Sequence, residues 1–190
     1  MEKQLTTVIF VRHAQSLHPY SDERTRPLTE QGIKDRHIVE ETLKGRNIDA
    51  FFSSPYKRSV DTIRLAAELF RMDIKTDERF RERDNGVNEP GLVEKRWADF
   101  DFAEEGGESL GAVQRRNIEA LSEILAAYAG KTVVIGTHGT ALSTIMNYYD
   151  PGYVLENYRR VMYWMPNILE FSFDGERLIE IRELAHIDRS

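Results

Sequence analysis

The chain has 190 residues, of which 41% are hydrophobic and 31% charged, with a formal net charge of −6 and no cysteine. That size and balance suit one folded domain with a real core and exclude an intrinsically disordered chain. The acidic balance argues against non-specific nucleic-acid binding, the lack of cysteine removes disulfides and thiol nucleophiles, and no apolar run approaches a signal segment or a membrane span, so a cytoplasmic protein with neither a nucleic-acid nor a membrane partner is expected.

Val8 to Val11 is an apolar, mostly β-branched run, and it predicts a buried strand that stops on Arg12 and His13. A basic pair at the carboxyl end of a buried strand lies where open α/β sheets place ligand chemistry. Leu17 to Pro27 is a charged loop with two prolines, and His13 with His18 lacks the further ligands that a metal needs. Thr29 is the predicted N-cap of a charged helix running to about Leu43, with Glu30 in its first turn and His37 as a structural or exposed residue. Ile48 to Ser53 predicts a second buried strand. A helix follows, with Val60, Ile63, Ala67 and Phe70 on its core face and with Pro55 and Arg58 in its first turn. An arginine gains little at the positive end of a helix, so Arg58 there points to an anionic partner.

Ile74 to Thr76 is a short strand candidate. Residues 77–107 are rich in charge and glycine and predict an excursion over a pocket, with some helix near Val93 to Phe100. Asp99 and Asp101 have no supporting carboxylates and are read as helix-end charge, so no metal site is expected. Ser109 opens a long helix whose apolar face includes Leu110, Val113, Leu121 and Ile124, and Gly130 closes it. Thr132 to Thr137 predicts a third buried strand running into His138, and a short helix covers about Ala141 to Tyr149. Residues 150–166 read as irregular and aromatic, and Ile168 to Phe173, Asp174-Gly175 and Leu178 to Ile181 as a hairpin. Strands alternating with helices predict one α/β domain over residues 1–190, a three-layer α/β/α sandwich with a mainly parallel central sheet.

If the three buried strands are parallel neighbours, Arg12, His13, Arg58 and His138 meet at one edge of the sheet. Two guanidiniums and two imidazoles suit a dianionic group such as phosphate. Arg12-His13-Ala14-Gln15-Ser16 resembles the Arg-His-Gly signature of the histidine phosphatase superfamily, the phosphoglycerate-mutase-like fold. Pro27-Leu28-Thr29 with Gly32, Ser53-Ser54-Pro55 with Arg58 and Thr62, Glu82 with Gly86 and Glu89, Gly107-Glu108-Ser109 with Arg115, and Thr137-His138-Gly139 are similar to that family's later motifs, in order. Ala14 stands where the family usually has glycine, and Pro19 where an asparagine is expected. A tryptophan expected near Asn88 is absent.

The resemblance implies a metal-independent phosphomonoesterase that needs no cofactor and acts on a small phosphorylated metabolite through a phosphohistidine on His13. It implies Arg12, Arg58 and His138 as phosphate holders, Glu82 as proton donor ahead of Glu78 and Asp84, and Gln15, Ser16 and Gly139 as substrate contacts. It also implies a covering role for residues 77–107, with Arg83, Asn88 and Trp97 choosing the substrate. Two alternatives stay open: a cofactor-dependent phosphoglycerate mutase, and a non-catalytic module that binds phosphate or a phosphopeptide. The sequence carries no signal for an oligomeric state.

Overall fold

A computed structural model describes residues 4–190. Its elements are β1 (Thr6–Arg12), α1 (Glu30–Leu43), β2 (Ala50–Ser53), α2 (Lys57–Leu69), β3 (Ile74–Thr76), a 3-10 turn (Glu78–Phe80), α3 (Leu92–Ala98), α4 (Leu110–Ala127), β4 (Thr132–Thr137), α5 (Gly139–Tyr149), α6 (Leu155–Val161), β5 (Trp164–Asp174) and β6 (Arg177–Asp188). The six strands form one sheet in the order β3-β2-β4-β1-β5-β6. β3, β2, β4 and β1 run parallel, and β5 and β6 form an antiparallel hairpin against β1. This is the mainly parallel α/β architecture that the alternation of elements predicts. Among the described residues no helix is long and apolar enough to cross a membrane.

Each face of the sheet closes on its own helices because alternate strand residues point to opposite sides. Ile9, Val11, Phe51 and Val134 meet Val39 and Leu43 of α1 and Ile63 of α2. Val8, Phe10, Val133 and Ile135 meet Leu121 and Ile124 of α4 and Leu142 of α5. Thr29 caps α1, its hydroxyl accepting from Gly32 N at 2.9 Å, and Ser109 caps α4 by accepting from Ala112 N at 3.2 Å.

Two expectations shift. Residues 150–166 are ordered rather than irregular: α6 and the first residues of β5 lie there. Seven residues are too few for a helical period to stand out, and Asn157, whose side chain accepts from Val154 N at 2.9 Å, fixes the start. Pro55 lies outside α2, whose N-cap is Tyr56.

Candidate active site

Strand register builds the site. Arg12 pairs with Thr137, and Ser53 with Gly136, so β1, β2 and β4 end level. His13 N then donates to Thr137 O at 3.1 Å, and Ser54 N to Gly136 O at 2.9 Å. His13, Ser54 and His138 therefore leave the sheet side by side. The imidazoles of His13 and His138 meet edge to face, with centroids 5.4 Å apart. Thr62 of α2 pins the turn after His13 by accepting from Ala14 N at 3.0 Å. Ala14 itself is fully buried, and its methyl group is not part of the cavity wall.

A cavity of about 500 Å³ opens over this edge, lined by Arg12, His13, Gln15, Ser16 and Glu82 among others. His13 forms its floor and is 5% exposed. Its Nδ1 lies 2.7 Å from Ala14 O. A carbonyl can only accept, so Nδ1 carries the proton and Nε2 keeps its lone pair. Burial, then the charges of Arg58 and Arg12, hold the imidazole well below the ordinary histidine range, and His13 is neutral at neutral pH. Burial outweighs the two guanidiniums in this shift.

The other basic groups are placed unequally. Arg12 is gripped from behind: Nη1 donates to Val161 O and Nη2 to Met162 O, both at 2.8 Å. Arg58 and His138 are fully buried and lie behind the cavity wall rather than on it. Burial lowers Arg58 to about 10, which leaves it charged. His138 Nε2 shares a hydrogen bond of 2.7 Å with Ser54 Oγ, and burial followed by Arg58 keeps it neutral. Tyr56 seals this layer, with its ring 5.3 Å from His138 and 5.1 Å from the Arg58 guanidinium.

Of the three candidate acids, only Glu82 lines the cavity. Its carboxylate accepts from Thr140 N and Ala141 N at 3.1 Å, at the start of α5, and from Arg83 N at 2.9 Å. Glu78 is paired outward with Arg24 at 2.7 Å, and Asp84 with Arg81 at 3.1 Å. Gln15 and Ser16 reach the wall, although Gln15 Oε1 also accepts from Thr29 at 2.9 Å. Gly139 acts at one remove: a Cβ there would lie 3.0 Å from the Arg12 guanidinium carbon, so the glycine leaves that side chain its space. Arg83, Asn88 and Trp97 stay out of the cavity wall. Arg83 is buried against Glu104 at 2.8 Å, and Trp97 packs on Phe100, Tyr153 and Tyr158. Residues 77–107 face the cavity through Glu82 and Asn85 instead.

Sequence reasoning missed Arg26 and Glu23. Arg26 is 6% exposed and lines the cavity, with Nε and Nη1 unpartnered. Glu23 Oε2 stands 3.1 Å from Nη2 of both Arg26 and Arg58, and Glu23 O accepts from Arg58 Nη1 at 2.7 Å. Here is the anionic partner that the position of Arg58 called for, supplied by the chain itself. No local pattern marks either residue within a charged loop. The arrangement offers a neutral nucleophilic nitrogen, three guanidiniums and one aligned carboxylate. Among the described residues no cluster of histidine and carboxylate groups suits a metal ion.

A family model described as the histidine phosphatase superfamily (branch 1) matches residues 8–183. Phosphoserine phosphatase 1 of Hydrogenobacter thermophilus is 29% identical over 150 residues, which cover 70% of this chain and 71% of that protein. A probable phosphoglycerate mutase GpmB of Yersinia pestis is 29% identical over 156 residues, covering 74% and 73%. Among solved structures, Bacillus stearothermophilus YhfR superposes with a TM-score of 0.75 at 25% identity, covering 92% of this chain and 94% of that one. A mutant phosphoserine phosphatase from Entamoeba histolytica, in complex with phosphoserine, superposes with a TM-score of 0.77 at 19% identity over 95% and 96% of the two chains, a likeness of fold alone.

Proposed function

The chain belongs to the histidine phosphatase superfamily, and on that premise we propose that it is a phosphomonoesterase that cleaves a small phosphorylated metabolite through a phosphohistidine on His13. The observation that carries this reading is the hydrogen bond from His13 Nδ1 to Ala14 O, which leaves a neutral Nε2 at the cavity floor. Nε2 attacks phosphorus as the ester P–O bond breaks, and Glu82 gives its proton to the departing alkoxide. Water then attacks the phosphohistidine while Glu82 takes up a proton, and phosphate and free His13 result. Splitting one displacement into two is the usual gain of a covalent route. Arg12, Arg26 and Arg58 supply fixed positive charge where negative charge spreads over the transferring oxygens. Ser16 and Gln15 are proposed to complete the phosphate cradle, and His138 to hold His13 in place through their edge contact.

Each step uses side chains of this chain only, so turnover is expected without a metal or cofactor and to survive dialysis against EDTA. The phosphoserine phosphatase and the probable mutase are about equally similar to this chain. Assay of 3-phosphoglycerate with and without a bisphosphoglycerate primer separates hydrolysis from transfer, and a chain that binds phosphate without turnover would instead be a recognition module. The cytoplasm, where phosphorylated metabolites are made, is the compartment proposed.

The direct test is to quench the enzyme during turnover. Phosphate should be found on His13 in an acid-labile, base-stable form, and His13→Ala should abolish both label and turnover while the protein stays folded. A His13→Ala variant that keeps its rate would remove His13 from the nucleophile role.

A further inference from the structure

The carboxylate of Glu82 is held by three backbone N–H groups, but its main chain is held by something else: an ion pair outside the cavity wall. Glu108, just before the Ser109 cap, and Arg116 of α4 form a bidentate pair, Nε to Oε1 at 2.8 Å and Nη2 to Oε2 at 2.9 Å. Neither side chain lines the catalytic cavity.

The segment 79–84 is strung across this pair. Arg116 Nη1 donates to Arg79 O and to Arg81 O, both at 2.7 Å, and Nη2 donates to Glu82 O at 3.2 Å. On the other side of Glu82, Glu108 O accepts from Arg83 Nη1 at 2.9 Å, and Glu108 N donates to Asp84 O at 3.0 Å. Phe80 shares a core cluster with Leu121 and Ile124 of α4, which brings the segment against that helix. The 3-10 turn ends at Arg81, whose backbone is extended, so the carbonyls there need partners from outside. A guanidinium suits this task because its donors are many and lie in one plane: Arg116 meets three carbonyls and both oxygens of one carboxylate. A lysine ammonium has too few donors for all five acceptors. Arg115, which resembles a family position in the sequence, is exposed and faces Asp101 at 3.7 Å. The arginine of this helix that reaches the site is its neighbour.

We propose that Arg116 is a positioning residue for proton transfer. By fixing the main chain of Glu82 it keeps the carboxylate at the start of α5, aimed at the departing oxygen. The inference rests on Glu82 being the proton donor. Arg116 lies outside the cavity, so its loss should spare phosphate binding and attack by His13 and weaken only the protonation of the leaving group.

Single-turnover mixing with two esters of similar size tests this: benzyl phosphate, which expels an alkoxide, and p-nitrophenyl phosphate, which expels a stabilised anion. Arg116→Lys should slow phosphoryl transfer from benzyl phosphate by roughly 10- to 100-fold, the cost of misplacing a group by about 1 Å, and from p-nitrophenyl phosphate by less than about threefold. Its affinity for inorganic phosphate should match the wild type. In a Glu82→Gln background the same change should slow benzyl phosphate by less than about twofold more, because no acid is left to position. Glu108→Gln leaves the guanidinium and its carbonyl contacts in place while neutralising their anchor. It should show the same selective loss, and it carries the comparison if Arg116→Lys does not fold. Equal slowing of both esters, or an undiminished effect in the Glu82→Gln background, would overturn the positioning role. Leaving-group dependence in Glu82→Gln but none in Arg116→Lys would overturn this inference alone. A Glu82→Gln variant that slows both esters equally would overturn the acid assignment, and the positioning role with it.

Discussion

Glu82 shares a seven-residue stretch with Glu78 and Asp84, and position alone separates them, since the other two are paired outward with arginines. If Glu82 is the proton donor, its importance depends on the leaving group. Glu82→Gln keeps shape and polarity but removes the transferable proton. It should slow phosphoryl transfer from an alkyl phosphate by roughly 10²–10⁴-fold while sparing p-nitrophenyl phosphate, whose leaving anion hardly needs a proton. Single-turnover mixing isolates that step from the hydrolysis of phosphohistidine, and equal losses for both substrates would exclude Glu82 as the acid. Glu23 raises a different question, because its carboxylate faces Arg26 and Arg58, two cations that phosphate would also seek. Taking one partner from a buried charge cluster is costly, so Glu23→Gln should lower the melting temperature in phosphate-free buffer. The same change removes an internal competitor, and inorganic phosphate should bind tighter, on the order of tenfold, or about 1.4 kcal/mol. The melting temperature should then recover with added phosphate by mass action. Unchanged phosphate affinity would show that Glu23 does not compete.

At the level of elements, the site depends on how closely α1 packs on the turn after β1. A Cβ at Gly32 would lie 2.1 Å from Gln15 O and 3.0 Å from Gln15 C, both backbone atoms that cannot swing aside. Gly32→Ala must therefore move the helix or the turn that carries Gln15 and Ser16. A loss of about 1–3 kcal/mol in urea unfolding is expected, the usual cost of overpacking, together with weaker phosphate binding. An alanine variant as stable and active as the wild type would contradict this packing. The contact also marks the boundary of what the sequence makes legible. Strand ends, the Thr29 and Ser109 caps and the meeting of His13 with His138 follow from local signals: apolar runs, cap chemistry and parallel neighbours. Arg26 and Glu23 carry no such signal, because what brings Arg26 into the cavity wall and Glu23 onto Arg58 is the contact of the 17–27 loop with α2, a tertiary event. α6 was hidden for a related reason. Its worth lies in two carbonyls offered to Arg12, nearly 150 residues away in the chain, and no window-based pattern can report such a contact. The same limit applies to Arg83, where charge and position in the excursion suggest substrate contact but Glu104 claims the guanidinium.

For the whole molecule, a cationic site buried within an acidic protein ties stability to pH. His13 and His138 are both buried, and both are held well below the ordinary histidine value, chiefly by burial and next by Arg58. In the unfolded chain each returns to about 6.5. Between that value and the depressed folded value, the unfolded state binds protons that the native state refuses. Stability is therefore fully present above pH 6.5 and falls as the pH drops below it, by on the order of 1 kcal/mol per pH unit for each histidine. Glu108 adds a separate, lower window. Against the cost of burial, Arg116 and Arg81 hold its carboxyl at about 2, so its contribution is lost only as the pH falls through the range from 4.5 to about 2. Two stages of acid destabilisation are thus expected, the first without any carboxylate. Urea unfolding at intervals from pH 7.5 to 5 should show that first stage. His138→Gln, which cannot titrate, should remove about half of its slope while leaving the lower window in place. Stability that stays level across pH 7.5 to 5 would mean that the two imidazoles accept protons in the native state, and His13 would then lose the neutral Nε2 on which the proposed chemistry depends.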